Sequence, residues 1–377
     1  MVKKVNHKEL ATLVGHYYKT KEPLFVWGTF GIGKSRVLRD VAQDTAKEKG
    51  KEFVDWNKTN PDEKQEIFNS PEKYFVFIDI RLSEYDSSDI KGLPDFQSGD
   101  KKSIEFRVPF WALLLENPKS DGILFFDEIN LATPLVISSC YKIIYDRVVN
   151  DGKINDNWLI VGCGNNQEDR ANTCDIAPPL RDRGGEVELI IPSIDAWTDW
   201  ATKNDVDSRI IGFLNFKSSN LFKVDFEDTQ KFTTSRGWER VSRLIKNIDM
   251  KNLDILDLIT SSAISEGVSK EFIAYCKLSC QIDMNKLIEN PEQIATINDI
   301  GVKFFVTTSV ADKYKEKKIK FDKVMEVSSI LDNSASPELV AYLWKLSSGM
   351  SKQFRKDWME TSGSNEKLIE KYGKYIL

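Results

Sequence analysis

Histidine is nearly missing from this chain: only His7 and His16 occur in 377 residues, so a histidine-rich metal centre has no ligands. Cysteine is sparse and unpatterned. Cys140, Cys163, Cys174, Cys276 and Cys280 are an odd number without a C-x-x-C pair. That excludes a structural zinc site and points to reduced thiols in a cytosolic compartment. Cys276 and Cys280 stand one helical turn apart, but their apolar neighbours read as core packing rather than metal or redox chemistry. No apolar run reaches membrane length, and the start, Met1-Val2-Lys3-Lys4-Val5-Asn6, leads into a polar helix-like segment without the apolar stretch of a secretion signal. The expectation is a cytoplasmic protein, neither exported nor inserted. Positive charge is not in excess either: 53 Lys and Arg against 58 Asp and Glu leave −5, which argues against a broad nucleic-acid-binding face.

What is present suffices for a full core. With 41% hydrophobic and 29% charged residues, the chain has the composition of a globular protein of two or three domains. Short β-type runs recur at Leu24–Trp27, Phe75–Ile80, Ile123–Phe126, Trp158–Gly162 and Val187–Ile191, with helix-compatible stretches between most of them. This alternation predicts a three-layer α/β domain with a mainly parallel sheet. The Lys-, Glu- and Asp-rich stretch from Gly50 to Lys73 reads as a solvated surface excursion. After Pro192 the pattern turns helical, as in Asp195–Lys203, Ser208–Phe216 and Trp238–Lys246, and stays so to the end of the chain.

The most specific pattern is Gly28-Thr29-Phe30-Gly31-Ile32-Gly33-Lys34-Ser35, which follows the apolar run Leu24–Trp27 and opens a helical stretch. It has the spacing of a phosphate-binding loop. Glycines let successive backbone N–H groups curl around a β-phosphate, the lysine reaches β- and γ-oxygens, the serine hydroxyl holds Mg²⁺, and the helix N-terminus adds its dipole. A nucleoside triphosphate with Mg²⁺ is the expected ligand. Gly122-Ile123-Leu124-Phe125-Phe126-Asp127-Glu128 is a buried strand ending in two carboxylates. Asp127 is placed to bind Mg²⁺ through water and Glu128 to polarise the attacking water. The run Trp158–Gly162 leads to Cys163-Gly164-Asn165-Asn166, where an amide at a strand tip could hold that water.

Together these residues resemble the MoxR branch of the AAA+ ATPases, from about Leu24 to about Ile245. The segment from Arg81-Leu82-Ser83-Glu84-Tyr85-Asp86 to Gly92-Leu93-Pro94-Asp95-Phe96 is similar to the start of that branch's helix-2 insertion. Phe110-Trp111-Ala112 resembles its return to the core, and Asp127-Glu128-Ile129-Asn130 and Tyr145-Asp146-Arg147-Val148-Val149 also look like the branch. The resemblance implies a P-loop NTPase αβα core over about 1–192 with an insertion at about 86–110, a helical lid over about 193–250, and a helical C-terminal region over about 251–377 of unassigned role. It makes Asn165 or Asn166 the sensor 1 residue, with Asn165 favoured because it directly follows the glycine. It makes Arg183 the arginine acting on a neighbouring subunit's nucleotide, with Arg181 as contender because Gly184 stands where the family has Phe, and makes Arg236 the sensor 2 residue. It further implies ATP rather than GTP as the nucleotide and a ring, commonly hexameric, that remodels or activates a partner protein, often one with a von Willebrand factor A domain, and it puts the insertion near the ring's pore. A nucleic-acid-associated AAA+ motor or restriction-type subunit is the rival function, and a nucleotide-gated scaffold that barely hydrolyses is a third.

Overall fold

In the computed structural model, which describes residues 2–96, 105–166, 174, 184–224, 232–249, 252–334, 336–360 and 366–376, the five apolar runs all enter one sheet. Its strands are β1 (Lys3–Val5), β2 (Leu24–Trp27), β3 (Glu52–Asp55), β4 (Tyr74–Arg81), β7 (Gly122–Asp127), β10 (Trp158–Gly164) and β11 (Gly185–Leu189). They lie in the order β1-β11-β2-β10-β7-β4-β3, with every neighbouring pair parallel. All seven residues of β10 are buried, as are the first five of β7. Strands covered on both faces read as continuous apolar runs rather than alternating ones, so the middle of the sheet was visible in the sequence.

The edges were not. Lys3–Val5 pairs with Val187–Leu189 instead of merely leading into a helix, and the polar stretch expected to be a solvated excursion supplies β3 and helix α3 (Pro61–Asn69). Asn60 caps that helix in a reciprocal box with Glu63, Pro61 opens it, and its charged side chains face water. Val54, Trp56 and Ile67 are the apolar side chains buried in this strand, the turn after it and the helix, and an edge strand and a one-sided helix need no more. The last strand ends at Leu189, because β1 ends opposite it, and Ile190 and Ile191 are left exposed.

Helices α1 (His7–Thr20), α2 (Lys34–Glu48), α4 (Ser87–Lys91), α5 (Phe110–Glu116) and α6 (Pro134–Tyr141) complete the described parts of this unit, Met1–Ile191. Within the stretch 86–110, Ile90 of α4 is fully buried, whereas β5 (Leu93–Asp95) and β6 (Glu105–Arg107) form an antiparallel hairpin exposing Leu93, Phe96 and Phe106. A second short hairpin pairs β8 (Val148–Val149) with β9 (Gly152–Lys153).

Pro192–Leu377 forms the second unit. Its helices Ser208–Phe216, Ser235–Ile245 and Glu266–Cys280 bring Phe213 against Trp238 and Phe272, with ring centroids 5.7 and 5.4 Å apart. Helices before and after residue 250 therefore share one core, which runs on to Ile376. Cys276 is buried in it and Cys280 is half-buried, and no metal-ligand cluster occurs among the described residues. No helix among them is long and apolar enough to cross a membrane.

Candidate active site

The site is built at the carboxyl ends of three adjacent strands, β2, β10 and β7, where parallel α/β sheets place their ligands. From β2 the chain turns through Gly28–Gly33 into α2. Gly28 has φ +152° and a Cβ there would lie 2.7 Å from the Leu189 carbonyl oxygen, while Gly33 has φ +97°, so neither position accepts a side chain without strain. Lys34 opens the helix and is buried. Its Nζ donates to the carbonyls of Gly28 and Thr29, the latter at 3.0 Å, and to Asn165 Oδ1 at 3.1 Å. The Ile32 side chain is buried beneath the loop, and its carbonyl accepts from His7 Nε2 at 2.7 Å. Burial holds the His7 imidazole below its ordinary pKa.

Asp127 ends β7, and its Oδ2 lies 3.5 Å from Ser35 Oγ while Oδ1 accepts from the Glu128 amide at 2.9 Å. These hard oxygen donors are the type a Mg²⁺ ion takes. Glu128 has φ +55°, an unusual backbone for a non-glycine residue, and its Oε2 accepts from Ser83 Oγ at 2.5 Å with Arg81 Nε 4.0 Å from Oε1. Because β10 lies between β2 and β7, the residue just past its end sits between loop and carboxylates. Asn165 is fixed there by a reciprocal pair: its amide donates to Asn130 Oδ1 at 3.0 Å and its carbonyl accepts from Asn130 Nδ2 at 2.8 Å. Gly164 is required beside them, since a Cβ would come 2.7 Å from that same Asn130 oxygen. Asn166 turns the other way, donating to Glu188 Oε1 on β11 at 3.3 Å.

Negative charge is crowded here. Burial pushes Asp127 above the usual carboxylate range, against the pull of Lys34. Burial and the Asp127 charge push Asp79, on β4, up to about 6, although Arg39 stands 3.4 Å away and also pairs with Asp55 at 3.1 Å.

The structure thus brings Lys34, Ser35, Asp127, Glu128 and Asn165 together. Arg236 lies exposed in the first turn of its helix in the second unit, which Thr234 caps, and Arg181 and Arg183 fall outside the described residues. Ser83, Asn130 and His7 were not singled out as site residues from sequence. The first two stand inside the family-like segments, which was a signal without a role, and His7 carried none.

No model of a known protein family matches the chain, and no curated protein does. Among solved structures it is similar to C. elegans PCH-2, at 13% identity over 73% of this chain and 70% of that one, with a TM-score of 0.32. The ADP form of the Aeropyrum pernix ORC2 protein shares 10% identity over 94% of each chain at a TM-score of 0.35. AMPPCP-bound DnaA from Aquifex aeolicus shares 12% over 99% of this chain and 96% of that one at 0.34. At such scores no property of those proteins transfers to this chain. Its own strand order and loop geometry make the fold a P-loop αβα core with a parallel sheet, followed by a helical region.

Proposed function

We propose that this protein hydrolyses ATP to ADP and phosphate with Mg²⁺ and uses the energy to remodel or activate a partner protein, as an AAA+ ATPase of the MoxR type. The supporting observation is the convergence, from three separate strand ends, of Lys34, the Ser35–Asp127 pair, Glu128 and Asn165. In this reading the amides of Thr29–Ser35 and Lys34 bind the β- and γ-phosphates, and Ser35 and Asp127 hold Mg²⁺, which supplies neutralising charge to the transferring phosphoryl group. Asn165 orients the attacking water and Glu128 takes its proton. Arg183 completes the site of a neighbouring subunit in a ring, and Arg236 senses the nucleotide from the helical region. The apolar tip Leu93, Phe96 and Phe106 is the surface offered to the client, such as a von Willebrand factor A domain protein.

Phosphate release from ATP, with and without Mg²⁺, tests the reaction. Arg183→Ala should bind ATP yet lose roughly 10³-fold in turnover, and should regain activity when mixed with Lys34→Ala subunits, which keep their own Arg183. Verified subunit exchange without recovery would remove Arg183 from the trans role and send Arg181 through the same trial. Client identity is read from proteins retained by a Glu128→Gln ring.

A further inference from the structure

A loop that binds phosphate through its N–H groups has to turn its carbonyls away, because an inward carbonyl would present an oxygen to an anion. Each outward carbonyl then needs a donor behind the loop. At Gly28 and Thr29 the donor is Lys34 itself, whose ammonium is wanted by the phosphates in the reading above. At Ile32 it is His7, which belongs to no part of the nucleotide motif and lies 25 residues away in sequence.

The peptide linking Ile32 to Gly33 is trans, since the described backbone contains no cis bonds. Its C=O and N–H therefore point in opposite directions. With the Ile32 oxygen drawn onto His7 Nε2, the Gly33 N–H is directed away from His7. We propose that His7 is a positioning residue that locks the Ile32–Gly33 peptide in the phosphate-accepting orientation, so that the N-terminal strand and helix set the loop's affinity for a nucleoside triphosphate. The inference rests on the nucleotide-binding reading of the loop.

Three features hold the histidine to this task. It is the first residue of α1, whose start is fixed by Asn6: the Asn6 side chain accepts from the amides of Lys8 and Glu9, and its own amide donates to Glu9 Oε2. Just before it, β1 is pinned to β11 through Val5 and Leu189, and the Leu189 carbonyl also abuts Gly28 at the other end of the loop. Finally, His7 Nδ1 is buried without a partner among the described residues, which leaves a neutral ring whose single N–H, on Nε2, is aimed at Ile32.

The test compares His7→Gln, whose amide can still donate, with His7→Met, of similar length and without a donor. Calorimetric titration with MgATP should show His7→Gln within about twofold of the wild type and His7→Met weaker by about five- to tenfold, one hydrogen bond's worth. In the nucleotide-free proteins, hydrogen exchange at the Gly33 and Lys34 amides should quicken in His7→Met only, with the two variants melting at similar temperatures. Equal affinities for the two variants, or unaltered loop exchange, would overturn the role of His7. A wild type that binds no ATP while the loop amides still respond to His7→Met would instead overturn the nucleotide-binding reading.

Discussion

Strand β7 has a carboxylate at each end, and the fold treats the two in opposite ways. Asp121, just before the strand, is buried yet accepts from Tyr18, from Lys49 at 2.7 Å and from Lys51 at 2.9 Å. Burial alone would raise its pKa, but these donors together hold it below the usual value. Asp127, at the other end, receives one backbone amide and one serine hydroxyl at the limit of hydrogen-bonding distance, and its pKa is raised by burial. One end is electrically complete without a ligand. The other carries Asp127, Asp79 and Glu128 close together, with Lys34 tied to loop carbonyls, Arg39 3.4 Å from Asp79 and Arg81 4.0 Å from Glu128, and there burial outweighs these cations at Asp127 and Asp79. The compensated carboxylate and the crowded ones stand at opposite ends of the same sheet, and the crowded end is the one at which the proposed function puts the ligand.

Substitutions at the two ends should separate those roles. The largest effect is expected from Glu128→Gln, which in the proposed mechanism removes the proton acceptor but no phosphate contact: turnover should drop by roughly 10²–10⁴-fold with ATP affinity retained. A parallel loss of affinity, measured by titration calorimetry, would mean that Glu128 holds the loop rather than the water. At the opposite end, Asp121→Ala leaves Lys49, Lys51 and the Tyr18 hydroxyl facing one another without their acceptor. It should destabilise the protein by about 3 kcal/mol in urea unfolding, with turnover per folded molecule unaltered. A drop in turnover there would break the division between the two ends.

Lys34→Ala should weaken ATP binding by about 1.5–3 kcal/mol, the cost of a charge-assisted contact, without a comparable loss of stability. The smallest effect is a pH dependence. Asp79 titrates at about 6 in the folded protein against 3.8 as its ordinary value, so between those values the folded state binds more protons than the unfolded one, and stability falls as pH rises. Asp79→Asn abolishes that loss. In Mg²⁺-free buffer the variant should match the wild type at pH values below this window and exceed it by about 1–3 kcal/mol above it, and equal curves throughout would show that Arg39 already neutralises the carboxylate.

Much of the candidate site's layout was readable from sequence for a definite reason. Gly28–Ser35 and Asp127–Glu128 are each a strand and the turn that follows it, so their chemistry is written in consecutive residues, and the strands that carry them are buried on both faces and therefore continuously apolar. What the sequence could not order was anything decided between segments. Asn165 and Asn166 are adjacent amides, and which of them faces Lys34 depends on Asn130 gripping the backbone of one and Glu188 drawing the side chain of the other. Ser83 reaches Glu128 only because β4 lies beside β7, and His7 reaches Ile32 only because β1 closes the sheet next to β11. The edge strands themselves escaped notice because three or four residues with one or two buried side chains leave no periodicity to detect. Local spacing determined the glycine-rich loop and the paired carboxylates, while the packing of distant segments decided which side chains surround them, since a hydrogen bond between residues 25 or 45 apart has no signature in the sequence of either.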